Sequence, residues 1–231
     1  MNTKDYIVIT IDGPAGSGKS TVAKLVAARL SLLYVDTGAM YRAVAWKALS
    51  ENLDITDERK VAHLAARMKI DLRPGQNGVL VFADGEEVTD VIRAPDVTDA
   101  SSRIAAFPSV RDTLVKRQQA MGRERGVVME GRDIGTVVFP DTPFKFYLDA
   151  SITERARRRM KDLLNAGHRV TLDELKRQVQ ERDRRDMSRE VGPLTRARDA
   201  ILIDTTNMTI EEVVQTICRH VEARSGEAIG R

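Results

Sequence analysis

Aromatic side chains make up only 4% of the 231 residues, and the chain holds one cysteine, Cys218, and three histidines. A lone cysteine excludes an internal disulfide and supplies no metal cluster. Apolar runs end after a few residues, far short of a membrane span. The start MNTKDYIVITIDG lacks the long apolar core of a signal peptide. Neither sign of charge dominates: 37 Lys and Arg against 34 Asp and Glu leave +3, which does not by itself argue for nucleic acid and suits a small anionic ligand equally well. The expectation is a cytoplasmic protein, a monomer, without membrane or nucleic-acid partners. At 42% hydrophobic, with no tandem repeat, low-complexity segment or obvious linker, it reads as one α/β domain with insertions.

What is present begins with GPAGSGKST, Gly13 to Thr21, which fits the pattern G-x-x-x-x-G-K-S/T. The run Gly13, Pro14, Ala15, Gly16, Ser17, Gly18 lets successive backbone N–H groups turn inward around a polyphosphate. Lys19 supplies a point charge, and the Ser20 hydroxyl, followed by Thr21, can take a Mg²⁺ position. YIVITI, Tyr6 to Ile11, precedes it as a strand buried on both faces. Apolar Val22, Leu25, Val26 and Leu30 follow at helical spacing, so the loop lies between strand and helix.

Further buried strands are predicted at 32–36, 127–130, 144–149 and 201–204, with helical patterns between, giving a five-stranded parallel sheet flanked by helices. Ligands gather beyond the carboxyl ends of such strands, so Asp12, Asp36, Arg132, Asp133, Asp149 and Asp204 should face one crevice. Asp36 can hold Mg²⁺ through water or cap the helix that begins at Thr37; both readings stand. Between about 70 and 93 the period changes to short antiparallel strands joined by glycine turns, an insertion without evident chemistry. From Ser151 to Arg189 the chain is polar and rich in arginine. Thr171 and Glu174 form a capping box after a turn at Gly167-His168, and Arg182, Arg185, Asp186 and Arg189 share one helical face. Alone, that face would be a solvated surface. Beside a triphosphate, its guanidinium forks can clamp phosphoryl oxygens.

The chain has no N-K-x-D guanine reader, which favours a small-molecule kinase over a switch GTPase. An acceptor that is itself a phosphate needs no general base, because its second pKa is about 6. It needs charge neutralisation and in-line placement, which suits many arginines and few histidines. Arg42, Arg132 and Arg189 are attractive clamps, because each lies in a segment that the fold should direct into the crevice. A kinase for UMP, AMP or shikimate is the nearest alternative. An RNA-docking module is disfavoured because the basic stretch lacks interleaved aromatics.

IDGPAGSGKST, VDTGAMYR, DASSRIAAFPSVR, EGRDIGTVVFPD, KFYLDAS and ERDRRDMSR together resemble bacterial-type cytidylate kinase of the nucleoside monophosphate kinase group, over about 7–214. The resemblance implies ATP-dependent phosphorylation of CMP and dCMP with Mg²⁺. It implies a P-loop kinase core (1–36, 101–153 and 190–225), an acceptor-binding region (37–100) containing the antiparallel insertion, and an arginine-rich helical lid (154–189). The segment 226–231 is left as a frayed tail. It further implies that Thr37, Tyr41 and Arg42 lie by the acceptor, and that Ser102, Arg111 and Asp133 surround the base. Arg132 and Arg189 would hold the acceptor phosphate, Asp186 with Arg182 would reach the ribose hydroxyls, and Arg158 and Arg159 would join Lys19 on the donor phosphates. A carboxylate at Asp133 suits the exocyclic amine of cytosine and opposes the carbonyl of uracil. Glu130 departs from the aspartate of many relatives, and Ser20 stands where some carry glycine.

Overall fold

The computed structural model describes residues 6–75, 78–165, 167 and 169–229. Strand β1 (Val8–Asp12) leads through the glycine loop into helix α1 (Lys19–Arg29), and β2 (Leu33–Asp36) into α2 (Thr37–Ser50). Helix α3 (Glu58–Arg67) is followed by β3 (Ile70–Gly75), β4 (Gly78–Ala83) and β5 (Glu86–Glu87). Helices α4 (Pro95–Ile104) and α5 (Pro108–Glu124) both carry proline in the first turn, where its missing N–H costs nothing. They lead to β6 (Val127–Gly131), a π-helical segment over Ile134–Val138, and β7 (Phe144–Asp149). Helices α6 (Ile152–Asn165) and α7 (Leu172–Met187), strand β8 (Ile201–Asp204) and helix α8 (Ile210–Ile229) complete the chain.

All pairings in the main sheet are parallel, in the order β2-β6-β1-β7-β8. Period-two alternation splits the core. Ile9, Ile11, Val128, Phe146 and Leu148 pack with α1 and α8, while Val35, Val127 and Met129 pack with Ile134 and Val138. The register aligns Asp12 with Gly131, Asp36 with Glu130, and Asp149 with Asp204, so the strand ends form one rim. Strands β3, β4 and β5 form a separate antiparallel sheet, as the change of period predicts.

Two boundaries differ from the sequence expectation. A break at 100/101 would cut α4, whereas one apolar cluster joins Ala39, Met40 and Val44 to Ile104, Val110 and Leu114, so α4 and the first half of α5 pack with α2. Residues 226–229 continue α8 rather than forming a frayed tail, and 230–231 lie outside the described residues, as does His168 of the expected turn.

Candidate active site

The loop after β1 bends through left-handed glycines, Gly16 at φ 78° and Gly18 at φ 91°, where side chains with a Cβ are strained. Gly13 lies so close to the Leu148 carbonyl that a Cβ could not fit. Pro14 and Ser17 are buried, Thr21 is exposed, and the Ser17 hydroxyl donates to the Pro14 carbonyl at 3.0 Å. Lys19, 5% exposed, donates from Nζ to the same carbonyl at 2.7 Å. Burial, and next the charge of Arg132, pull its ammonium down to about 7. Glu130 and Asp12 oppose that shift, and a phosphate placed in the loop would oppose it further.

Glu130, at the end of β6, accepts from the Tyr34 hydroxyl at 2.9 Å, and the exposed Ser20 hydroxyl lies near enough to oppose its upward shift. Burial and then Asp36 push Glu130 up. Asp36 caps α2 by accepting from the Ala39 N–H at 2.9 Å and binds Arg42 Nη2 at 2.8 Å. The capping reading of Asp36 is therefore what the fold uses, and Arg42 occupies its other oxygen. Thr37 turns its hydroxyl onto the Glu130 carbonyl at 2.7 Å. Asp12 also serves the fold: its two oxygens accept from the Ile134 and Gly135 N–H groups at 2.9 and 2.7 Å.

Asp186, 1% exposed on α7, is the centre of the arginine cluster. Arg132 Nε donates to its Oδ2 at 2.8 Å, the Ser102 hydroxyl to its Oδ1 at 3.3 Å, and Arg189 pairs with the same Oδ1 while reaching the Ser102 carbonyl at 3.4 Å. Despite its burial, Arg132 and Arg189 hold its carboxyl below the usual range. Arg182, one turn earlier, has no partner for its buried Nε. Burial, followed by Arg132, with Arg42 and Arg159 adding, pulls its guanidinium down to about 9 against the attraction of Asp186. Phosphate oxygens would supply the missing counter-charge.

Asp133 pairs with Arg111, not with Arg132, and that guanidinium also lies 5.9 Å from the Tyr41 ring centroid and reaches the Ala105 carbonyl at 3.3 Å. Burial pushes Asp133 up, opposed by Arg111, Arg189 and Arg132. Tyr41, Ser102, Arg111 and Asp133, scattered in sequence, thus adjoin the cluster on Asp186. Near the glycine loop, Arg158 donates to the Thr205 carbonyl at 2.7 Å and hydroxyl at 3.1 Å and lies 3.5 Å from the Gly16 carbonyl. Arg159 is half-buried and acts on the cluster by charge.

Three contributors escaped the sequence reading. Thr205 follows β8 and holds Arg158. Arg155 and Asp183 form an ion pair of 2.7 Å joining α6 to α7. An arginine-rich segment does not disclose which of its members turn inward; here Arg155 is 4% exposed while Arg157 stays exposed.

A parallel sheet with a phosphate loop after β1, a lone loop lysine and an arginine cluster at the strand ends defines a P-loop kinase, a phosphotransferase. The family model described as Cytidylate kinase matches residues 9–223. A cytidylate kinase of Desulforamulus reducens is 53% identical, covering 94% of this chain and 98% of its own length. One from Geobacillus sp. (strain WCH70) is 48% identical over 96% of this chain and 100% of its own. A bifunctional pantoate ligase/cytidylate kinase of Synechococcus sp. (strain JA-2-3B'a(2-13)) is 51% identical, and this chain spans 42% of its length. The chain belongs to the cytidylate kinase family. A crystal structure of an uncharacterized protein from Eubacterium ventriosum shares the fold at TM-score 0.52 and 12% identity, covering 94% of this chain and 98% of that one.

Proposed function

We propose that the chain transfers the γ-phosphoryl group of ATP directly to the phosphate of CMP or dCMP, giving ADP and CDP or dCDP. The observation that carries this reading is Arg182, a half-buried side chain with a buried, unpartnered Nε, which feels the charges of Arg132, Arg42 and Arg159 and is opposed by Asp186. So concentrated a positive field, beside Lys19 and the glycine loop, suits two sets of phosphates converging on one transfer point.

In this reading Lys19, Arg158 and Arg159 neutralise the donor phosphates, while Arg132, Arg189 and Arg42 hold the acceptor phosphate in line. No residue has to abstract a proton, since the acceptor oxygen is ionised near neutral pH with a second pKa of about 6. Arg182 and Asp186 reach the ribose, and Ser102, Arg111 and Asp133 read the base. Asp133, oriented by Arg111, accepts from the cytosine amine and meets a carbonyl in uracil.

The hard oxygen donors Ser20 and Glu130 lie together and fit Mg²⁺. Among the described residues no three Asp, Glu, His or Cys side chains cluster, so phosphate and water would complete its shell. When bound, Mg²⁺ supplies charge neutralisation across the β- and γ-oxygens. The reading includes a monomer in the cytoplasm, and light scattering of the purified chain measures the first. No helix among the described residues is long and apolar enough to cross a membrane.

The test is ADP release from Mg-ATP with CMP, dCMP, UMP, AMP or GMP, each alone, beside a control without acceptor. Turnover with CMP and dCMP far above the others is expected. Equal release without acceptor would mean hydrolysis, and turnover with a different monophosphate alone would retain the transfer and refute the base pocket.

A further inference from the structure

Helix α7 is fastened on two sides by residues two apart. Arg185 Nη1 binds Asp99 of α4 at 2.8 Å, towards the acceptor region. Asp183 Oδ2 binds Arg155 Nη1 of α6 at 2.7 Å, towards the donor loop. Arg155 continues the connection: Nε donates to the Ala150 carbonyl at 3.0 Å and Nη1 to the Ala15 carbonyl of the glycine loop at 3.2 Å. Its side chain is only 5% exposed. The backbone contact is equally close, since a Cβ added at Gly16 would lie 3.0 Å from the Arg155 carbonyl oxygen. One buried guanidinium therefore spans donor loop, α6 and α7, and it grips α7 at Asp183, the chain neighbour of Arg182 and three residues before Asp186.

Neither residue is among those that would touch a nucleotide in the reading above. A buried pair bears a desolvation cost that apolar packing would avoid, and Asp183 Oδ1 lacks any partner. Simple adhesion between α6 and α7 would be served as well by leucines. What an ion pair with fixed hydrogen-bond directions adds is registry.

We propose that Arg155 and Asp183 are positioning residues that fix the separation between the donor loop and the acceptor arginines of α7; the inference rests on the phosphoryl-transfer reading. In-line transfer is steep in distance, a displacement of about 1 Å costing about a hundredfold. Loosening this pair therefore acts on the transfer step, while each nucleotide keeps its own contacts.

The experiment measures kcat and both KM values for the full chain and for Asp183→Asn, Arg155→Lys and the double variant, with melting temperatures recorded first. The expected result is a kcat about tenfold or more below wild type in Asp183→Asn, with KM for ATP and for CMP within about threefold. The double variant should be no worse than the poorer single one, because the two act as a unit. Where Asp183→Asn melts below the assay temperature, Arg155→Lys, which keeps the charge, carries the same readout. Folded variants with kcat within about twofold of wild type, or with losses confined to KM, would overturn the proposal. Wild-type silence with CMP would refute the substrate reading instead, and the pair is then compared on the monophosphate that the chain does phosphorylate.

Discussion

Single side chains in this site carry two duties, and substitutions have to separate them. Arg111 is 2% exposed, so Asp133→Ala would leave its guanidinium buried and unpaired at a cost of about 3–5 kcal/mol. Asp133→Asn keeps an acceptor for Arg111 and removes the charge. It should lower kcat/KM for CMP by about 10–100-fold, the range for one charged hydrogen bond, and leave ATP affinity within about twofold. Discrimination against UMP should narrow, because an amide can donate to the uracil carbonyl. An equal fall in ATP affinity, measured by calorimetry, would remove Asp133 from the acceptor pocket. Asp12 is the contrasting case, a carboxyl that serves the fold. Burial raises it from 3.8 to about 7, so its stabilising contribution is complete below about 4 and is lost as pH rises through about 7. Melting temperatures at pH 5, 6, 7 and 8 should show the advantage of wild type over Asp12→Asn shrinking as pH rises. A constant difference would mean that Asp12 titrates alike in folded and unfolded chains.

At the scale of elements, the strands were readable because a strand buried on both faces cannot alternate, and runs such as FKFYLD match β7 end to end. The glycine loop was readable from its pattern between strand and helix. Other features depend on contacts that no local spacing encodes. The π-helical turn at Ile134–Val138 exists because Asp12, more than a hundred residues earlier in the chain, collects its first N–H groups. The choice of Arg111 rather than Arg132 as partner of Asp133 follows from how α5 packs across β6. Helix α7 is intermediate: its start and the face bearing Arg182, Asp186 and Arg189 are legible, whereas its anchor through Asp183 to Arg155 is not. The Thr171 hydroxyl accepts from the Glu174 N–H at 3.3 Å while the Glu174 carboxylate accepts from the Thr171 N–H at 2.9 Å. Thr171→Ala removes half of this box at a cost of about 1 kcal/mol, or about 2–4 °C in a chain of this size. Because α7 carries Arg182, Asp186 and Arg189, amide exchange should quicken over residues 172–176. Unchanged exchange there would show that tertiary anchors alone define the start of α7.

For the whole molecule, the arginine excess makes stability and ligand binding one problem. The free chain tolerates Arg182 in a buried field of like charge, so an anion that enters the cluster stabilises the fold by more than its contact area indicates. At a hundredfold excess over Kd, a ligand specific for the native state contributes about 2.7 kcal/mol, which corresponds to a rise of about 5–10 °C in melting temperature. CMP should give such a rise, and cytidine, which lacks the phosphate, should give little at the same concentration. Arg182→Met preserves the length and apolar stem of the side chain but removes the charge. It should raise the melting temperature of the free chain and reduce the CMP response, since the repulsion that an incoming phosphate relieves disappears while Arg132, Arg189 and Arg42 keep their contacts with that phosphate. Thermal unfolding of both chains with and without CMP decides the matter. A variant that melts lower than wild type would mean that Asp186 already compensates the guanidinium, and the charge excess would then have to be sought between Lys19 and Arg132.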